Sequence, residues 1–349
     1  MLSVLASLAK SLVFDLGLNK IPTESYISAC LKTSFHPPPR EKTLVEKRAV
    51  LACFLLTSQI SYSIKRLDAL AWTSHMDECL QALAQQREWE GDDLLAAQVK
   101  VQLIAENLNR ATAQSPDGIP PNYVLSALRA QLQSTKAQLP LHLQQNDTIL
   151  SHISYTELAI QEVAMARSKT GLEPGLAPDM QRYEAMEGCL SAIRDWFNRH
   201  FSIPSYVYIG MTFSYWWNMC HCLLTLSRLS ILDDPQWDRR AIRDRIDLLA
   251  ICDQLKVGFE EVATQRRMDA GSTVEEDNFS KFIKMVRTMR NNWAPELAAA
   301  EGNSRQAAAA APGAEAFIDG SAEAMSVPFY QPEDSETWIA GLFDMNWDV

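Results

Sequence analysis

The chain has 349 residues, 47% of them hydrophobic, and a formal net charge of −11. A chain of this length can bury a large core without disulfides or metal ions. The acidic balance disfavours a nucleic-acid-binding surface, because binding to phosphates depends mainly on lysine and arginine. No apolar run reaches the ~18 residues of a membrane-spanning helix, so the sequence predicts no membrane association.

The first 17 residues are mostly apolar but include Lys10 and Asp15, which favours an amphipathic helix over a signal peptide. Apolar residues then recur at steps of three and four through most of the chain up to Trp293, a spacing that predicts helices. Two of these stripes are Leu125, Leu128, Leu132 and Leu139, and Tyr183, Met186, Leu190, Ile193 and Phe197. The prediction is an all-α protein with one large multi-helix domain over residues 1–295.

The residues after this domain differ from it in composition. Residues 296–328 are a low-complexity linker, too poor in bulky apolar side chains to fold alone. Residues 329–349 are a tail in which acids alternate with large apolar residues, as in disordered activation segments that insert into a partner's groove. The alternative is a terminal helix that packs its aromatic side chains on the protein's own core. The candidate activation anchors are Trp338, Leu342, Phe343 and Trp347.

The segment from Tyr206 to Leu232 is apolar on nearly all sides, which predicts a helix in the middle of the bundle. Large apolar walls with a few polar tips also suit a pocket for a small-molecule effector. A solid core helix is the alternative, since an all-apolar helix is usually buried. The candidate pocket residues are Phe213, Trp216, Trp217 and Cys220.

The stretch LSILDDPQWDRR carries Asp233, Asp234 and Asp238 in the pattern D-D-x-x-x-D, which all-helical terpene cyclases use to hold magnesium. The same residues suit a helix start, with Asp234 as the N-cap, Pro235 at the first helical position and Asp238 in the first turn. The apolar stripe that follows predicts one helix as far as Val262. A cyclase also needs a second metal-binding motif downstream, and the sequence has none, so the helix start is the preferred interpretation.

Other patterns that would indicate catalysis or metal binding are weak in this sequence. Cys220 and Cys222 flank His221, but residues two apart on a helix point about 200° away from each other, which favours buried thiols. The sequence around His75 and His200 shows no cysteine or carboxylate set that would indicate a nucleophile–base pair, so both histidines are predicted to be structural. The sequence therefore predicts no enzyme, no catalytic residue, no metal site and no cofactor. Its seven cysteines suit reduced thiols in a nuclear or cytosolic protein.

Five segments carry a family pattern, of which Glu-Lys-Arg-Ala followed by a helix and then Arg66-Leu67-Asp68 is the most specific part. The segments are Ser11–Pro22, Glu46–Leu83, Asp92–Leu108, Cys189–Pro204 and Leu226–Leu255. In order and spacing they resemble the middle homology (regulatory) region of fungal binuclear zinc-cluster transcription factors.

This resemblance implies an all-helical regulatory domain in a nuclear transcription regulator, often one that controls a metabolic or secondary-metabolite gene cluster. The expected partners are the transcription machinery or a related full-length regulator, and a homodimer is a further option. The family's DNA-binding module needs Cys-x-x-Cys halves, which none of the seven cysteines forms, so specific DNA binding by this chain is not expected. On the residues alone, a non-catalytic helical adaptor or scaffold, nuclear or cytoplasmic, is the alternative, and a terpene-cyclase-like enzyme is a third interpretation.

Overall fold

A computed structural model describes residues 2–20, 41–64, 68–115, 118, 120–167, 180–234, 236–270 and 278–309. All regular secondary structure within these ranges is helical, which confirms the predicted all-α class. The α-helices are α1 Leu2–Asp15, α2 Leu44–Ile64, α3 Ser74–Gln86, α4 Asp92–Gln114, α5 Asn122–Ala137, α6 Asp147–Arg167, α7 Met180–Ser202, α8 Phe213–Ile231, α9 Arg239–Arg245, α10 Leu248–Ala270 and α11 Asn278–Ala309. Short 3₁₀ helices lie at Leu141–Leu143 and Ser205–Gly210. Over the described residues, no helix is both long and apolar enough to cross a membrane.

The chain divides into two compact units, residues 1–160 and 161–349, and the boundary falls within α6. The single domain over residues 1–295 therefore stays a prediction.

Helix α2 is the central helix of the first unit and packs against α1, α3 and α4. It begins with a capping box in which the Thr43 N–H donates to Glu46 Oε2 at 2.8 Å and the Glu46 N–H donates to Thr43 Oγ1 at 3.3 Å. Many of its apolar side chains, including Val50, Leu51 and Phe54, are buried in a core shared with α1, α3 and α4, whereas Val45 and Leu56 are exposed. The stripe predicted between Leu125 and Leu139 is also buried in this unit.

Helix α8 occupies the centre of the second unit, where it packs against α7, α9, α10 and α11. The part of the predicted segment that forms α8 therefore lies inside this unit, whereas Tyr206 and Ile209, before the helix, are exposed. The most extensive helix pair of the unit is α10 with α11, which buries Phe259 against Phe279 and Phe282.

Three helix boundaries differ from the sequence-based expectations. The helix predicted from Tyr206 begins at Phe213, after a 3₁₀ helix over Ser205–Gly210. The single helix predicted as far as Val262 is broken into α9 and α10, because Ile246 is extended and Asp247 Oδ1 accepts the N–H groups of Leu249 and Ala250 as a new cap. Helix α11 continues past Pro295 to Ala309, within the segment predicted as a linker. Leu297 and Ala300 are buried, so packing extends this helix beyond its proline.

Candidate functional site

Two lysines of the first unit bind backbone carbonyls of segments on which the family resemblance rests. Lys42 Nζ donates to the carbonyl oxygen of Gly17 at 2.6 Å, just after α1 ends. Lys10 Nζ donates to the carbonyl oxygen of Asp68 at 2.8 Å. Both ammonium groups therefore bind backbone carbonyls and hold the fold together. Of the Arg66-Leu67-Asp68 pattern, only Asp68 lies within the described residues.

The Glu-Lys-Arg-Ala pattern places Arg48 on α2, next to Asp92 at the start of α4. Arg48 Nε donates to Asp92 Oδ1 at 2.6 Å and Nη2 donates to Oδ2 at 3.0 Å, while the Trp89 N–H donates to Oδ2 at 3.0 Å. Asp92 is fully buried, and the hydrogen bonds from Arg48 hold the pKa of its carboxyl below the usual value. Arg48 Nη2 also donates to Glu88 at 2.8 Å. The most specific family pattern thus forms a structural clamp.

A buried hydrogen-bond network joins α2, α4 and α6 in the first unit. Gln102 Nε2 donates to Ser58 Oγ at 2.7 Å, and Ser58 Oγ donates in turn to Glu106. His152 Nε2 lies 3.1 Å from Gln102 Oε1. Burial lowers the pKa of His152 to about 4, so this histidine is neutral at physiological pH. Its role is structural.

The structure corrects the expectation that His75 has no cysteine or carboxylate nearby. His75 Nε2 lies 3.5 Å from Cys79 Sγ, and His75 Nδ1 lies 3.4 Å from Glu78 Oε2, as their spacing on one helix allows. Cys79 is fully buried, and burial raises the pKa of its thiol. A buried, protonated thiol is a poor nucleophile, so the arrangement supports a structural role for His75.

The three aspartates of the D-D-x-x-x-D pattern face different partners. Asp238, rather than Asp234, is the N-cap, because its extended backbone lets Oδ1 accept the N–H groups of Arg240 and Ala241 at 2.9 and 3.2 Å. Pro235 lies outside the described residues. Asp233 pairs with Arg239.

Asp234 connects this turn to α7. Tyr183 Oη donates to Asp234 Oδ1 at 2.6 Å and Arg182 Nη1 donates to Oδ2 at 2.9 Å. Trp237 is buried beside them, with Nε1 donating to the Leu229 carbonyl at 3.0 Å. The pattern therefore forms a structural corner. Among the described residues, no group of three or more histidine, cysteine, aspartate or glutamate side chains is placed to hold a metal ion.

All four candidate pocket residues lie on α8. Trp216 and Trp217 are buried, Cys220 is fully buried with Sγ 3.9 Å from Met285 Sδ, and Phe213 is partly buried 6.2 Å from Trp217 between ring centroids. The Trp216 ring lies 5.0 Å from Phe282 between centroids. Each of the four side chains thus has packing partners, and the pocket itself stays a prediction.

His200 adds a polar centre to these aromatic rings that the sequence did not indicate. The residue is fully buried, its ring stacks on Trp196 at 5.5 Å and on Tyr208 at 4.8 Å between centroids, and Nδ1 lies 3.0 Å from Tyr215 Oη. Burial lowers the pKa of His200 to about 3. Its Nε2 and the Nε1 of Trp196 have no hydrogen-bond partner within the described part of the chain.

The Cys220-His221-Cys222 run contains buried thiols, as predicted. Burial raises the pKa of Cys220 to about 12 and that of Cys222 well above its ordinary value. His221 Nε2 instead lies 3.2 Å from the buried carboxylate of Glu162, which also accepts a hydrogen bond from Thr225 Oγ1. The imidazole of His221 therefore pairs with the Glu162 carboxylate rather than with the neighbouring thiols.

The candidate activation anchors Trp338, Leu342, Phe343 and Trp347 lie outside the described residues, as does the rest of the predicted tail.

The sequence is similar to those of fungal transcription factors. A family model named ATEG07667_C, described as a C-terminal domain, matches residues 205–346. The transcription factor opdL of Penicillium oxalicum (strain 114-2 / CGMCC 5302) is 32% identical over 313 residues, which cover 85% of this chain and 54% of opdL. A transcription factor of Aspergillus terreus (strain NIH 2624 / FGSC A1156) is 28% identical over 306 residues, which cover 82% of this chain and 50% of that protein. No solved structure matches the chain.

The chain is a relative of fungal transcription factors, as the five segments predicted. It spans about half the length of the curated relatives that it matches.

Proposed function

We propose that these residues form the helical regulatory region of a fungal transcription regulator. The observation that carries the proposal is the relationship to two transcription factors over more than four fifths of the chain. We also propose that the regulator acts in the nucleus and controls a metabolic or secondary-metabolite gene cluster. The activity assigned to these residues is recruitment of a partner rather than sequence-specific contact with DNA, in keeping with a formal charge of −11.

The charged residues in the family segments make structural contacts, which supports a regulatory rather than a catalytic role. Arg48 and Asp92 bind each other, and Asp234 and Asp238 hold a turn and a helix start. The aspartates of the D-D-x-x-x-D pattern, which suggested a terpene cyclase, therefore make structural contacts. In this proposal, the two helical units are the scaffold and the acidic-aromatic tail is the output.

The tail would contact the transcription machinery directly. Residues 331–349 combine five acids with six large apolar side chains. Acidic charge attracts a basic surface at long range, while the apolar anchors supply binding energy once they enter a groove. A related full-length regulator is the other partner that we propose, with this chain joining or sequestering it.

The test is a reporter assay with the full chain fused to an unrelated DNA-binding domain. The proposal predicts reporter expression that differs from that of the DNA-binding domain alone. A fusion ending at Ala309 keeps all described helices but lacks the tail, so it should lose most of the effect. A full-chain fusion that is expressed in the nucleus and leaves the reporter unchanged would favour the helical adaptor instead.

A further inference from the structure

A small cavity lies in the first unit, where α3, α4 and α5 meet. Its volume is about 100 Å³. The lining is contributed by the end of α3, by the first half of α4 and by residues at and after the end of α5. The apolar part of the lining consists of Ala84, Ala96, Ala97, Leu139 and Pro140. We call this cavity, with the charged residues Arg87, Asp93 and Lys100 that also line it, the α3–α5 cleft.

The inner part of the cleft is apolar and its mouth is polar. Ala96, Ala97 and Leu139 are buried, whereas Arg87 and Lys100 are exposed. The alanines leave this space open, because a longer side chain at the same positions would fill it. A cavity of ~150 Å³ holds benzene, so the cleft has room for roughly four or five non-hydrogen atoms. It therefore suits a small molecule with one apolar end and one polar end.

The mouth of the cleft carries two cations and one acid. Arg87 Nε donates to the Ala84 carbonyl at 3.2 Å and lies 3.1 Å from Asp93 Oδ1, which leaves the terminal guanidinium nitrogens without a hydrogen-bond partner among the described residues. Lys100 has neither a hydrogen bond nor an ion pair within the same ranges. The other oxygen of Asp93 lies 3.5 Å from His142 Nε2. In a chain with a net charge of −11, the cleft is thus a local excess of positive charge whose open donors are cationic.

The backbone of Arg87 is held in a conformation that favours glycine. Arg87 ends α3 with φ 43° and ψ 54°, in the left-handed region where a Cβ is disfavoured. Over the described parts of the chain, it is the one non-glycine residue with a positive φ. Glycine would end the helix without this strain, so what arginine adds is the guanidinium at the mouth of the cleft. Backbone strain of this kind is concentrated at sites that bind ligands.

We propose that the α3–α5 cleft binds a small organic carboxylate. The carboxylate accepts hydrogen bonds from the terminal nitrogens of Arg87 and from the Lys100 ammonium, and the carbon atoms next to it pack on the alanines. A neutral molecule of the same shape gains nothing from the two cations. The site lies in the first unit, whereas the predicted effector pocket lies on α8, and the proposal does not rest on the proposed role in transcription.

Saturation-transfer NMR of propionate with the purified full chain, at constant ionic strength, tests the proposal. Propionate has about the number of non-hydrogen atoms that the cleft admits, and it should bind with a Kd of about 1–10 mM. Propionamide has the same shape but no charge. It should show no saturation transfer at the same concentration.

Three variants test whether propionate binds in the cleft. Lys100→Gln and Arg87→Gly should each raise the Kd by about tenfold, because each removes a charged donor. Ala84→Leu should abolish binding without changing any charge, because the leucine fills the cavity. Glycine accepts the left-handed backbone at position 87, Lys100 is exposed and Ala84 is only partly buried, so all three variants should melt close to the wild type.

Lys136→Gln is the matched control, since Lys136 is an exposed cation on α5 that does not line the cleft. This variant should bind propionate as the wild type does. No saturation transfer to propionate at up to about 50 mM would overturn the proposal. Equal binding of propionamide would also overturn it, because the cleft would then not recognise a negative charge. An equal loss of binding in Lys136→Gln and Lys100→Gln would overturn it as well, because the attraction would then come from the surface in general.

Discussion

The Arg48 guanidinium binds the fully buried carboxylate of Asp92 through two hydrogen bonds, at 2.6 and 3.0 Å. These residues lie 44 positions apart and belong to two segments of the family resemblance. A bidentate pair of this kind fixes both distance and orientation, so it sets how α2 meets the start of α4.

Removing one partner of this pair should destabilise the protein. Asp92→Asn leaves Arg48 without its buried counter-charge and should lower the melting temperature by roughly 5–10 °C. Glu187→Gln breaks the Arg245–Glu187 pair, which is about half exposed, and should change the melting temperature by no more than about 2 °C. Similar effects of the two variants in differential scanning calorimetry would contradict the clamp.

Stability should fall as the pH is lowered below 6.5, because two buried histidines stay neutral in the folded protein. The pKa of His200 is lowered to about 3 and that of His152 to about 4, both from 6.5. Between pH 6 and 4.5 the unfolded chain binds protons that the folded protein does not, so the free energy of unfolding decreases with falling pH.

The variant His200→Phe should reduce this slope by up to about 1.4 kcal/mol per pH unit. The slope is obtained from urea titrations at several pH values, so it is separate from any general loss of stability. An unchanged slope in the His200→Phe protein would show that His200 does not titrate as its burial implies.

Within the D-D-x-x-x-D pattern, the three aspartates should contribute unequally to stability. Asp234→Ala removes the acceptor for Tyr183 and Arg182 and should cost about 2–3 kcal/mol, and Asp238→Ala removes the helix cap and should cost about 1 kcal/mol. Asp233→Ala should cost less than either, since its side chain is 96% exposed. Urea titration gives the order. A melting temperature that rises on adding Mg²⁺, and does so only with all three aspartates present, would instead indicate a metal site.

The four tail anchors should determine the strength of activation. Replacing Trp338, Leu342, Phe343 and Trp347 with alanine, in residues 300–349 fused to an unrelated DNA-binding domain, should abolish reporter activation. Replacing the five acids of the tail with Asn or Gln should reduce activation less, because long-range attraction mainly speeds encounter. A tail that activates nothing, with alanine variants that lower the melting temperature of the whole protein, would mean that the anchors pack on the helical core.

An effector that binds beside α8 should change the tryptophan fluorescence of the protein. Trp196 and Trp216 lie beside His200, and Trp216 and Trp217 are two of the predicted pocket residues. Titration with metabolites of the regulated cluster should therefore shift the emission, and His200→Phe should weaken the response to any ligand that contacts Nε2. If no metabolite changes the fluorescence and the core has no cavity beside α8, the predicted pocket is wrong.

The class of the fold and the central helix were predictable because helical periodicity is a local property. Leu125, Leu128 and Leu132 share one face of a helix whatever lies around them, and all three are buried. The cap at Asp238 was not predictable in the same way. Asp234 accepts hydrogen bonds from Tyr183 and Arg182, more than 50 residues earlier in the chain, and from the Gln236 N–H of the turn, while Asp238 caps the helix.

The polar contacts differ in the same way: those between residues close in sequence were predictable, and those between distant residues were not. His75, Glu78 and Cys79 are three and four residues apart, so their meeting on one helix could have been read from the sequence. The Arg48–Asp92 pair could not, because 44 residues separate the two and only the packing of α2 on α4 brings them together. The surroundings of His200 likewise depend on distant packing, because the Tyr208 and Tyr215 rings beside it come from other helices.

The most direct test of the account is to remove the protein rapidly in the organism that carries it and to measure newly made transcripts. The account predicts a change, early and in one direction, in a group of metabolic genes. That change should be reversed by the wild-type chain, but not by a chain in which the four tail anchors are alanine. Unchanged transcription of every gene after the protein is gone would contradict the assignment of these residues to a transcription regulator.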